Sequence, residues 1–226
     1  MVFDFTFNID ELNSFSNEQK AIDYKFATSK NSGVIKAYKS IKSGKSEYRI
    51  IKKSIDARRK PKVNLTYKVE VDTPANFVSR DKKLLSETFI YQDKKIDINS
   101  RPVIVGFGPA GIFAALTLSR YGLKPVIIER GSKMDKRISD VEAYSNGLKD
   151  VNLESNIQFG EGGAGTFSDG KLYSGVSSQY KQFVFDTFVT YGAPKDISYD
   201  SHPHIGTDNL RVVISRISDE IIRLGG

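Results

Sequence analysis

The sequence predicts an α/β protein, with a parallel sheet in its second half and a small α+β unit in front. Three observations carry this. From Arg101 the chain reads strand, glycine turn, helix, strand. The first seventy residues hold two segments of strict apolar–polar alternation, the period of a half-buried strand. The whole chain of 226 residues is 39% hydrophobic and 27% charged, the balance of a globular protein.

The elements follow in order. Phe3, Phe5, Phe7 and Ile9 alternate with Asp4, Thr6 and Asn8, a first strand. Residues 16–28 allow a helix, with Ser16 as N-cap and Gln19 three positions on. Residues 30–46 are rich in Lys, Ser and Gly, and no element is legible in them. EYRIIKKSIDARRK reads as a strand running into a basic turn closed by Pro61. Val63, Leu65, Tyr67, Val69 and Val71 then alternate again. Residues 1–72 thus form strand–helix–strand–strand, ended by Pro74. A polar connection spans 73–100, with a short helix near Lys82–Thr88. The second domain occupies 101–226.

Val103, Ile104 and Val105 form a short apolar run, as expected of a strand buried on both faces. A helix over 109–121 stops at Gly122, and Pro125 leads into a second strand, 126–129. Gly106, Gly108 and Gly111 make G-x-G-x-x-G between strand and helix, with Glu129 closing the next strand 18 residues after Gly111. The parts have separate reasons: Gly106 for the tight turn, Gly108 for approach of a pyrophosphate, Gly111 for helix–strand packing. Pro109 suits the first helical turn, and with Ala110 it opens a helix whose free N–H groups face the anion. Glu129 can accept from both ribose hydroxyls and repels a 2′-phosphate. The pattern predicts dinucleotide binding and does not choose between FAD and NAD.

A second run, FGEGGAGTFSDGKL at 159–172, holds five glycines. Gly160, Gly162, Gly163 and Gly165, with Ala164 among them, permit close backbone approach to a large planar cofactor, which favours FAD. Thr166 and Ser168 can donate to phosphate or ribityl oxygens. Asp169 and Lys171 bind polar edges or pair with each other. A flexible linker is the bland alternative, and Phe159, Phe167 and Leu172 argue against it.

Beyond it, Phe183, Val184, Phe188 and Tyr191 have helical spacing, capped by Gly192. His202 and His204 form an H-x-H pair that a strand end would place on one face. No third metal ligand is at hand, and the chain has no cysteine, so metal is not expected. Thr207 or Asp208 caps a last helix with Leu210, Val213, Ile214, Ile217, Ile221 and Leu224 on one face.

GFGPAGIFAALTLSRYGLKPVIIERG, FGEGGAGTFSDGKL and HPHIGTDNLR, with SIDARRK before its alternating strand, together resemble a bacterial family of uncharacterised FAD-dependent, or NAD(FAD)-utilising, dehydrogenases. The resemblance covers about residue 48 to the end. It implies a glutathione-reductase-type Rossmann FAD-binding domain, with FAD pyrophosphate at Gly106–Gly111 and ribose at Glu129. It places Arg130 and Arg137 near the cofactor. It implies an oxidoreductase acting on an unspecified small molecule, with NAD(P)H a candidate electron donor. In that family the chain continues, so this sequence reads as a front portion, truncated in its Rossmann domain. No acid or base stands out; Lys171 and His204 are the weak catalytic candidates.

Composition narrows the rest. No apolar run approaches a membrane span, and the N-terminus lacks a signal-peptide pattern, which suits a cytoplasmic protein. Residues 1–100 carry 20 Lys and Arg against 13 Asp and Glu, and residues 101–226 carry 14 of each. The lysines are scattered, which reads as a solvated surface and disfavours nucleic acid. Two alternatives stay open: an NAD- or FAD-dependent RNA-modifying enzyme using the basic front unit, and a non-catalytic dinucleotide-binding fragment. Oligomeric state is not legible.

Overall fold

The computed structural model describes residues 1–59, 61–79, 100–175 and 178–226. They form a mixed α/β structure of two compact units. One holds the described residues up to 79 together with Ser198–Pro203; the other holds those from 100 to Ile197 and from His204 on.

The first unit is a three-stranded antiparallel sheet in the order β1-β3-β2, with β1 Val2–Asn8, β2 Glu47–Arg59 and β3 Lys62–Asp72. Helices α1 Ile9–Asn13, α2 Glu18–Thr28 and α3 Ser32–Lys42 lie between β1 and β2 in sequence. Alternation does its expected work: Phe5, Phe7, Tyr67, Val69 and Val71 are buried, with Ile22, Phe26, Val34 and Ala37 from the helices. Phe26 meets Phe5 edge-on at 4.9 Å between ring centres, a geometry that adds about 1 kcal/mol beyond burial.

The helix signals differ from expectation in three places. The cap of α2 is Asn17, not Ser16: its Oδ1 accepts the Lys20 N–H at 2.9 Å, so the helix starts later and the box with Gln19 does not form. The interval 30–46 is ordered, because Asn31 Oδ1 accepts from Gly33 and Val34 and caps α3. Asn8 likewise caps the short α1. The unit is therefore strand–three helices–strand–strand.

Strand β2 has a register irregularity between Ile50 and Lys52, which leaves Ile51 exposed. Lys53 donates its N–H to Tyr199 O and accepts from Ser201 N–H, so Ser198–Pro203 adds to this unit. Residues 74–79 are helical, and Phe77 is buried with the Arg49 guanidinium over its ring at 4.2 Å. The short helix expected at 82–88 lies outside the described residues.

The second unit pairs β4 Val103–Val105 with β5 Val126–Ile128 in parallel, Ile104 opposite Ile127. Helix α4 Pro109–Arg120 links them, and α5 Met134–Ser145 follows. After a 3-10 turn at Ala164–Phe167 come α6 Gln179–Thr190, a second 3-10 turn at Lys195–Ser198, and α7 Thr207–Arg223. Ile112, Ala115 and Leu116 of α4 are buried with Val213, Ile214, Ile217 and Ile221 of α7, and Ile104 packs against them. Burial of β4 on both faces is not observed: Val103 is 61% exposed and Val105 83%. Among the described residues, helices cover the face bearing Ile104. The expected Thr207 or Asp208 cap of α7 is also absent; Gly206 at φ 76° precedes the helix with no side-chain cap. Among the described residues no helix is long and apolar enough to cross a membrane.

Candidate functional site

The first glycine turn divides its labour by position. Gly106 has φ 91°, a left-handed conformation that glycine alone adopts cheaply, and its N–H donates to Ile128 O at 2.7 Å. A Cβ on Gly111 would run into Gly106 O, so helix and strand touch there. Gly108 is different. Its φ of −80° suits any residue, and a Cβ there would meet only Gly163 Cα, at 4.0 Å. Gly108 is also the N-cap of α4, with no side-chain cap. The first-turn N–H groups lie at the positive end of the helix dipole.

Glu129 sits at this turn. Its Oε2 accepts the Phe107 N–H at 2.6 Å and its Oε1 accepts the Gly131 N–H at 2.8 Å. The carboxylate is thereby fixed against the turn and keeps lone pairs for further donors. It lines a cavity of about 460 Å³ with Phe107, Gly131, Ser132, Lys133 and Glu161.

The second glycine run folds directly onto the first. Gly162 donates its N–H to Phe107 O at 2.9 Å, and Glu161 donates to Ser132 O at 3.1 Å. Gly163, at φ 69°, comes so near that a Cβ would stand 3.1 Å from Pro109 Cδ and 3.3 Å from Gly108 Cα. Of the five glycines at 159–172, Gly163 lies against the first turn, while a Cβ would meet side chains at Gly160 and Gly162 and the Gly206 backbone at Gly170.

Arg137 holds this arrangement and is fully buried. Its Nε donates to Asn156 O and its Nη2 to Ile157 O, both at 2.9 Å. Its Nη1 donates to Glu161 O at 2.7 Å and Gly163 O at 2.9 Å, with Thr166 Oγ1 at 3.0 Å. Burial pulls the guanidinium below its ordinary pKa, Glu129 and Glu161 oppose this, and Arg211 adds to it. All its nitrogens face the loop, so it is a positioning residue and not a direct contact for a ligand. Thr166 is likewise buried, its hydroxyl donating to Gly163 O at 2.8 Å. Ser168 donates to Gly165 O at 2.7 Å. Both hydroxyls donate to carbonyls of the loop three residues back.

Arg130 lies at the surface, 3.1 Å from Glu154 and over the Phe159 ring at 3.9 Å. Ala164 is exposed on the 3-10 turn. Lys171 pairs with Asp169 at 2.6 Å, which raises the lysine pKa and lowers that of the aspartate. His204 pairs with Lys171 in an isolated antiparallel bridge, its Nε2 2.6 Å from Asp169 O. His202 falls in the first unit and His204 in the second. Among the described residues no cluster of three His, Cys, Asp or Glu could hold a metal.

Two residues escaped the sequence reading. Glu161 is buried, and its Oε2 accepts the Met134 N–H at 2.6 Å, capping α5. Arg211 donates to Thr166 O at 3.0 Å and, like Arg137, lies over the Phe167 ring. An acid within a glycine run was a visible signal for the first. Nothing local marked the second.

Comparison with known proteins adds two findings. Residues 31–72, which span α3, β2 and β3, match a domain of unknown function, DUF8436. An uncharacterized protein of Clostridium beijerinckii is 47% identical over 193 residues, a match covering 78% of this chain and 34% of that protein. The chain thus spans about a third of the length of the curated relative it is similar to.

Proposed function

We propose that this chain binds FAD through its two glycine motifs and is the cofactor-binding portion of a flavin-dependent oxidoreductase. The observation that carries the reading is Gly108: the only glycine of the fingerprint that neither its own backbone angle nor a close protein neighbour requires. Space kept free there, over uncapped helix N–H groups, fits a pyrophosphate. Glu129, anchored by two backbone N–H groups beside a cavity of about 460 Å³, fits a ribose. The strand–turn–helix–strand order and the parallel register support a Rossmann-type domain of the glutathione-reductase kind. When bound, FAD supplies two-electron chemistry. The chain's own part is to hold the dinucleotide, with Arg137 keeping the second glycine run against the first. An organic substrate with NAD(P)H as donor belongs to the same proposal. Membership of the FAD-dependent dehydrogenase family rests on the quoted motifs.

The test is the visible spectrum of the purified chain, before and after incubation with FAD and separately with NAD. Bound flavin is expected. Gly108→Ala should keep the fold and weaken flavin binding by about tenfold or more, since its methyl occupies the space of the phosphate. NAD binding without flavin would overturn the FAD assignment. Full flavin binding by Gly108→Ala would overturn the location.

A further inference from the structure

The second unit contains another cavity of about 460 Å³, away from Glu129. Its walls are apolar, formed by Phe113, Leu172, Val184, Phe188 and Ile214, and its rim carries Gly165, Ser168 and Lys171. Gly165 is the informative residue. Of the five glycines between 159 and 172, the other four have positive φ. Gly165 does not, and a Cβ there would meet nothing within 4 Å. A glycine in a helical turn costs about 0.5–1 kcal/mol relative to alanine. Neither the backbone nor the packing asks for glycine at this position, and the room it leaves opens onto the cavity.

The rim also fixes the polarity of an occupant. Among the described residues Lys171 Nζ pairs with Asp169, and the two side chains are 71% and 59% exposed. Such a pair is worth at most about 1 kcal/mol, so the ammonium can exchange to another carboxylate at little cost. A volume of this size is typical of a small-molecule site.

We propose that this cavity binds a small apolar carboxylic acid, an aryl or short-chain acyl carboxylate, with its body between α4, α6 and α7 and its carboxylate at Lys171. The cavity adjoins the proposed dinucleotide turn at Pro109, Ala110 and Gly162, but the inference rests on its apolar walls, Gly165 and Lys171 and not on the FAD reading.

The probe is 4-phenylbutyrate, titrated into the full chain and followed by methyl NMR. Saturable shifts are expected at Ile112, Leu172, Val184, Leu210 and Ile214. Gly165→Phe, whose ring enters the rim, should weaken binding about tenfold or more. Gly165→Ala should weaken it less while leaving thermal stability unchanged or raised, and it serves if the phenylalanine variant does not fold. Lys171→Met should weaken 4-phenylbutyrate and leave the uncharged 4-phenylbutanol unaffected. Absence of saturation, shifts spread over the exposed Leu148 and Leu153, or equal affinity in the Gly165 variants would overturn the inference. FAD uptake is read on the same samples. The titration is made on flavin-free chain: probe binding by chain that takes up no FAD removes only the cofactor reading, and no probe binding by flavin-free chain that does take up FAD removes only this one.

Discussion

Arg137 shows how far one side chain can organise a site. Its guanidinium serves carbonyls between residues 156 and 163, none of them near it in sequence. Lysine keeps the charge but lacks the planar fork, and each buried carbonyl left without a donor costs about 1–3 kcal/mol. Arg137→Lys should therefore destabilise the second unit by about 3 kcal/mol, lowering its melting midpoint by roughly 10 °C, as read by circular dichroism. An unchanged midpoint would mean that the loop holds itself. The sequence places Arg137 near a cofactor, and its organising role is not legible there, because its partners lie 19 to 29 residues away. The turning role of Gly106 and the packing role of Gly111 are legible, because each arises within a few residues of the turn.

At the scale of elements, the first unit is fastened through Glu18 at the start of α2. Its carboxylate accepts from Lys53 Nζ at 2.7 Å, Tyr67 OH at 2.8 Å and Tyr199 OH at 3.1 Å, and Asp200 lies 3.7 Å from the same Lys53. Burial alone raises the Glu18 pKa, but these hydrogen bonds and the lysine charge outweigh it and hold it below the ordinary 4.5. The folded carboxyl thus binds its proton less readily than the unfolded one. Its stabilisation is complete above pH 4.5 and disappears as the pH falls through the lower folded value. Glu18→Gln should cost about 1–2 kcal/mol at neutral pH and flatten the fall in denaturation midpoint below pH 4.5. A variant that loses stability in parallel with the wild type at every pH would refute this role. Strand alternation was readable throughout this unit. Helix α3 was not, although Val34, Ala37, Tyr38 and Ile41 have helical spacing, because Lys, Ser and Gly dilute that pattern and its Asn31 cap satisfies donors only once the chain has folded.

For the whole molecule, the two units have separate apolar cores, one built on the aromatic residues of β1 and α2 and one on α4 and α7. A ligand confined to one core stabilises that unit, by about 2.7 kcal/mol when present at a hundredfold excess over its Kd. Added FAD should slow amide exchange in residues 104–113 and 159–170 and leave residues 2–72 unchanged. Equal protection in the first unit would place the binding surface elsewhere.

What depends on near neighbours was legible in the amino-acid order: the alternating strands, the strand–turn–helix–strand order, and which glycine must turn and which must pack. Those follow from local periodicity and from sterics within a few bonds. Folding in three dimensions brought the second glycine run onto the first and turned Arg137 and Thr166 inward. These depend on where distant carbonyls and backbone segments come to rest, and burial makes each of their donors take the nearest available acceptor.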